Sequence, residues 1–327
     1  MAPAYESPVA IEVQDNLQIP LEQRRRMARG EVVSFPVTEN SEREIAAGLA
    51  LSLPASATQL AHYLSSGQLI AQDATIVEFG LVPPDAPSPL VGPAFGSSER
   101  EEATSLLDAS PGTHFNLSMS EIDSLRSARS GSSRDTLDLA SGAFRRLLFE
   151  RVQSYRQSGL GAIAPYARAG GAVTDPSVEL RLAITDTERI GRSGAELHQA
   201  LLRYPADQPA QVTSQLYWVK RRVQRRPHLS LLHRMVTSGA GSTIHLERYF
   251  YAAHSFNSMV ILTAAFPLQE GTLLLASTRV STDEILGMGN QLKRTVARGQ
   301  MRDEMRTRLE RVRTSLWRSQ PAGAESP

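Results

Sequence analysis

The chain has 327 residues, 41% hydrophobic and 21% charged, and a formal net charge of +1. That composition supports one large folded unit or two ordinary ones, and it excludes a disordered chain and a global attraction to nucleic acid. No run of about 18 apolar residues occurs, so no membrane-spanning helix is expected, and the absence of cysteine removes disulfides, thiolate metal sites and cysteine nucleophiles.

Residues 1–20 carry three prolines and only weak alternation, which reads as an arm, followed by a short basic helix over 21–28. The first eight residues lack the basic start and apolar stretch of a signal peptide. The absence of cysteine suits an exported or periplasmic setting. Gly30 then opens a β-rich run to residue 38, in which Pro36 indicates a sheet edge.

From 44 to 53, Ile45, Ala47, Leu49, Leu51 and Leu53 recur at steps of two, placing all five on one face of a strand that Pro54 ends. Ser56 and Gln59 form a capping box for a helix with Ala57, Leu60, Ala61 and Leu64 on its apolar stripe, and Gly67 stops it. Residues 74–82 are strand-like until the proline-rich run 83–89.

Between 98 and 205 the apolar period becomes helical. Ser118 with Glu121 and Ser193 with Glu196 read as helix starts, and 135–157 as a long helix ended by Gly159, preceded by an exposed loop at 127–134. Strands return at 212–224, 228–237, 243–253, 259–266 and 272–280. Arg226-Pro227, Gly239-Ala240-Gly241 and Glu270-Gly271 are the expected turns of an antiparallel meander. A long helix over 281–317 closes the chain, with a capping box at Ser281 and Glu284. Its stripe runs from Ile285 through Met288, Leu292, Val296, Met301, Met305, Leu309 and Val312 to Leu316, and Gly299 marks a bend or a close approach.

This order resembles the START-like (SRPBCC) helix-grip superfamily. The residues that carry the resemblance are the strand after Gly30, Leu51-x-Leu53-Pro54-Ala55 passing into the helix with Leu60 and Leu64, the later antiparallel strands, and the terminal helix. The resemblance implies an α+β fold in which a curved antiparallel sheet wraps on the C-terminal helix, with an apolar ligand between them. Residues 1–29 would be an arm and short helix, and 30–327 a single helix-grip domain. The stretch 85–210, far longer than the usual middle of such a domain, would be a largely helical insertion or lid.

Strand parity then selects candidate site residues. Arg248 shares a face with Ile244, Leu246 and Phe250, and a charge on a core face must be paired with an internal carboxylate or with a ligand. His233 lies among Leu229, Leu231 and Met235, His254 is in phase with Arg248, and Arg221 shares a face with Tyr217, Val219 and Val223. Arg248, His233, His254, Arg221 and Tyr217 are therefore the expected polar points of a mostly apolar pocket.

His228 and His233 are five residues apart and His245 and His254 nine, odd steps that turn the members of each pair to opposite faces of a strand, so no metal site and no cofactor is expected. The basic run from Lys220 to Arg226 divides between two faces and does not form a nucleic-acid stripe. Between residues 285 and 318 nine basic residues face three acidic ones, which suits a solvated face or an anionic membrane surface. The expected function is binding or transfer of a lipid-like molecule. The alternatives are an enzyme (cyclase, dehydratase or hydrolase) in the same cavity with His233 or His254 as acid or base, or an interaction protein using the helical insertion.

Overall fold

A computed structural model describes residues 7–71, 73–130, 133–239 and 241–318. The expected arm contains a helix, α1 (Pro8–Asn16): Ser7 accepts a hydrogen bond from the Ala10 N–H at 3.2 Å, and Pro8 stands where a missing N–H costs nothing. Then come α2 (Leu21–Ala28), β1 (Val33–Phe35), β2 (Glu44–Leu53), α3 (Ala57–Ser65), α4 (Gln68–Ala71) and β3 (Ile76–Val82). The Ser56/Gln59 capping box forms as its spacing requires, and β1 lies at a sheet edge with Pro36 just beyond it.

The middle of the chain supplies α5 (Arg100–Leu107), α6 (Met119–Arg129), α7 (Thr136–Ser158), a two-strand hairpin of β4 (Tyr166–Ala167) and β5 (Val173–Thr174), α8 (Pro176–Ala183) and α9 (Gly191–Arg203). Gly159 ends α7 with a φ of 57°. The loop expected at 127–134 is occupied in part by α6, and residues 131 and 132 lie outside the described residues. Ser193 does not start α9; it is buried inside it and donates to the Gly239 carbonyl at 3.0 Å.

Five long strands follow: β6 (Val212–Val223), β7 (Arg226–Gly239), β8 (Ser242–Ala252), β9 (Ser258–Pro267) and β10 (Thr272–Ser281). They form the expected meander inside an eight-stranded antiparallel sheet of order β1-β2-β10-β9-β8-β7-β6-β3. The β6–β7 turn is made by Gln224 and Arg225, with φ of 50° and 69°, a two-residue connection that leaves Arg226 and Pro227 paired in β7. Ala240 of the next turn lies outside the described residues, and Gly271 turns β9 into β10 with a φ of 87°. In β8 the register slips opposite Leu231 and Leu232, so Phe250 is an extra residue and both Phe250 and Tyr251 face the same side.

The sheet is covered on both faces. On one side α3, α4 and the terminal helix α10 (Asn290–Arg318) pack on Ala47, Leu49, Leu51 and Leu53 of β2 and on Leu274 and Ala276 of β10. On the other, α1 and the helices of the mid-chain segment share one continuous apolar cluster with β6 to β9, including Phe144, Leu148, Leu231 and Ile244. Every residue of β8 is buried in consequence.

The terminal helix begins later than its sequence suggests. Ser281 pairs with Ser258 and Glu44 as the last residue of β10, and Thr282, not Ser281, accepts the Glu284 N–H, at 3.2 Å, for a single 3-10 turn. Gly287 and Gly289, with φ of 79° and 74°, then redirect the chain into α10. Ile285 is buried in the 3-10 turn, but within α10 only the second half of the apolar stripe is seated. Met305, Leu309, Val312 and Leu316 are buried, each contributing about 2 kcal/mol, whereas Met288, Leu292 and Val296 are 96%, 71% and 51% exposed.

Candidate functional site

Between the sheet and the seated half of α10 lies a cavity of about 310 Å³. Leu69, Met259, Ile261, Met301 and Met305 make its apolar wall. Arg221, Thr278, Arg308, Asp73 and Glu304 are among the polar groups that reach it. The last turn of α4 and residues 73–75 close one end, which is why the loop before β3 contributes to a site that belongs mostly to the sheet.

Arg221 is brought there by β6, whose alternate residues Tyr217, Val219 and Arg221 face α10. Its Nη2 donates to the Tyr249 hydroxyl at 2.7 Å, and its guanidinium lies 5.1 Å from that ring's centroid. Its Nε is buried without a hydrogen-bond partner, and among the described residues no carboxylate forms an ion pair with it. Burial opposes the Arg221 charge, but Tyr249, Asp73 and Glu247 outweigh burial and raise its pKa. Tyr217 shares this face without lining the cavity; its hydroxyl donates to Gln215 Oε1 at 3.0 Å.

Beneath Arg221 sits an ion pair that the sequence did not reveal. Glu247, whose side chain is 1% exposed, meets Arg308 of α10 at 2.8 Å. Burial pushes the Glu247 carboxyl up, and Arg308, His245 and Arg221 together bring it below its ordinary value. His245 lies 3.8 Å from Glu247 and is driven by burial to about 3, so it is neutral at pH 7. At the rim, burial and then the nearby Asp73 raise the pKa of Glu304.

Arg248 and His233 are together, opposite each other in the β7–β8 ladder, but they face away from this cavity. Their shared face is buried under α7 and α9. The Tyr155 hydroxyl bonds His233 Nδ1 at 2.8 Å, Ser214 Oγ bonds Nε2 at 2.7 Å, and Arg248 reaches the Leu201 carbonyl at 2.9 Å as well as the Tyr155 hydroxyl. Burial, then the Arg248 charge, pushes His233 well below its usual pKa. Among the described residues Arg248 is thus met not by a carboxylate but by the carbonyl end of α9, where a helix carries partial negative charge.

His254 is in a third place, beyond the end of β8. With Ser255 it lines an open hollow of about 320 Å³ whose walls include Phe115, Phe256, Arg226 and Glu284. The five residues expected to form one pocket therefore divide among three environments, and of them Arg221 alone lines the cavity under α10. Gly299 does not line it either, and a side chain there would meet nothing within 4 Å.

Glu247, Tyr249 and His245 occupy the odd positions of β8, the set that alternation assigns to solvent when one face is taken as the core. The signal that identifies them is Arg308, which falls within the α10 stripe between Met305 and Leu309. Part of that helix's basic surplus is likewise directed at the protein, since Arg294 and Arg298 both pair with Glu39, whereas Arg313 pairs with Glu310 within the helix itself. Among the described residues no group of three or more histidines and carboxylates is placed to hold a metal ion, and no helix is long and apolar enough to cross a membrane. Comparison with protein families, curated proteins and solved structures finds no match to this chain.

Proposed function

We propose that the protein binds a small lipid-like molecule in the cavity between the sheet and α10. The observation that carries this reading is the pairing of an apolar wall with one guanidinium, Arg221, that has a hydroxyl partner but no carboxylate. Sites for small molecules combine apolar walls with a few convergent polar groups in this way. The apolar wall supplies affinity, and Arg221 with Tyr249 orients the polar end of the ligand. A cavity of about 310 Å³ suits a compact amphipathic molecule.

The architecture supports the same reading. An antiparallel sheet carries a helix pair after its second strand and a terminal helix over the face where the cavity lies, as the START-like resemblance implies. The mid-chain helices cover the opposite face and leave this cavity to α3, α4 and α10.

The test is native mass spectrometry of the full chain purified from cells, with solvent extraction and mass analysis of what it carries. A titration with the amphipathic anion 8-anilinonaphthalene-1-sulfonate accompanies it. One bound apolar molecule or one saturable dye site is expected, with Ile261→Trp weakening dye binding at least about 10-fold by filling the cavity. A protein that arrives empty and binds the dye equally well with and without Ile261→Trp overturns the proposal.

A further inference from the structure

In the hollow at the end of β8 the hydroxyl of Ser255 is hydrogen-bonded to the ring of His254. His254 Nε2 lies 3.0 Å from the Pro227 carbonyl, which can only accept, so Nε2 carries the imidazole proton and Nδ1 is left as an acceptor. Ser255 Oγ lies 2.6 Å from that Nδ1 and is therefore the donor. A nucleophile within hydrogen-bond reach of a base, with the base oriented by a third group, is the signature of nucleophilic catalysis.

Three further features belong to the same place. Ser255 has a φ of 67°, a conformation that is uncommon for a side chain outside glycine and that clusters at functional sites. Its N–H has no acceptor among the described residues, although its carbonyl is held by Thr282 Oγ1 at 3.1 Å. The His254 ring is fixed edge-on to the buried His228 ring, 4.8 Å between centroids, so the base is held on three sides. Both Ser255 and His254 line the open hollow, between the aromatic walls of Phe115 and Phe256.

We infer that Ser255 and His254 form a nucleophile and general-base pair that hydrolyses small carboxylic esters, at a site separate from the cavity under α10. Ser255 Oγ attacks the ester carbonyl carbon while His254 Nδ1 takes the hydroxyl proton, and the oxyanion forms beside the Ser255 N–H. The carbon–oxygen bond to the alcohol breaks, and the departing alkoxide takes the proton from Nδ1. Water then attacks the acyl-serine and gives a proton to Nδ1, and the bond to Oγ breaks as Oγ recovers that proton. The sum is ester plus water to acid plus alcohol. Burial, ahead of the opposing Pro227 hydrogen bond, lowers the His254 pKa, which keeps the base unprotonated at neutral pH.

The experiment uses the full chain with para-nitrophenyl acetate and, separately, a fluorophosphonate probe. A single phosphonate adduct that maps to Ser255 is expected, together with ester turnover that falls at least about 100-fold in Ser255→Gly and in His254→Gln. Ser255→Gly removes the hydroxyl and also relieves the positive φ, so its fold is retained; thermal melting checks this. Absence of an adduct at Ser255 in the native chain, or turnover by Ser255→Gly equal to that of the native chain, overturns the inference.

Discussion

Arg248 donates from Nη1 to the Leu201 carbonyl at 2.9 Å, so the largest fully buried side chain among the described residues closes the C-terminal end of α9. Arg234, on the neighbouring strand and the other face, does the same for α3 through the Leu64 carbonyl at 2.8 Å. Each face of the sheet thus offers an arginine to the negative end of the helix packed on it. A guanidinium suits this task because its planar fork keeps its charge when buried and satisfies several carbonyls at once.

Replacing Arg248 is therefore expected to cost stability and leave ligand binding alone. Arg248→Ala removes the hydrogen bonds to Leu201 and Tyr155 and opens a cavity, for a loss of about 3 kcal/mol. Arg248→Met fills most of the space and relieves a desolvated charge, so its loss is expected below about 2 kcal/mol. Urea unfolding measures both, and dye affinity within about two-fold of native separates this role from a place in the ligand site.

The pair of Glu247 and Arg308 predicts a non-additive result. Arg308→Met leaves a carboxylate inside the protein with its main partner gone, at a cost of about 3–5 kcal/mol. Adding Glu247→Gln removes the stranded charge, and the double variant is expected to recover more than half of that loss. A double-mutant cycle by urea unfolding reads the coupling directly.

Stability should fall early on acidification. Burial holds His245 at about 3, while the unfolded chain binds that proton near 6.5. The unfolded state therefore holds more protons between those values, and the contribution of His245 is complete above about 6.5 and is lost progressively as pH falls toward 3. His233 and His228, also lowered by burial, act in the same direction. Unfolding free energies at pH 7, 5.5 and 4.5 are expected to decline, and His245→Asn should reduce the slope by about one proton.

At Gly299 a stabilising change is expected. It lies inside α10, has no positive φ, and an added methyl group meets nothing within 4 Å. Gly299→Ala should raise stability by about 0.5–1 kcal/mol through helix propensity, with dye affinity unchanged. A loss of stability or of binding would show that the backbone there is needed for something other than continuity of the helix.

Much of this protein was legible in its letters. Alternation at steps of two and the glycines and prolines between runs placed β2 and all five strands of the meander to within two residues at every end. The Ser56/Gln59 box located α3 because its partners lie in one turn and need nothing from elsewhere. Two other boxes with the same spacing, at Ser193 and Ser281, did not form as caps. Ser193 was taken into the first turns of α9, and Ser281 into a ladder with Ser258 and Glu44. Partners distant in sequence outcompeted a local hydrogen bond.

The letters by themselves determined the strands, the α3 cap and which residues of each strand share a face, because these follow from backbone periods and contacts within a turn. Only the tertiary structure decided what covers each face. It set the mid-chain helices over Arg248 and His233, placed α10 over Arg221 and Glu247, and carried His254 beyond the end of β8. Alternation divides a strand into two sets and does not say which is buried; here both are, so polarity no longer marked the outside. That choice was made by side chains far apart in sequence packing against one another.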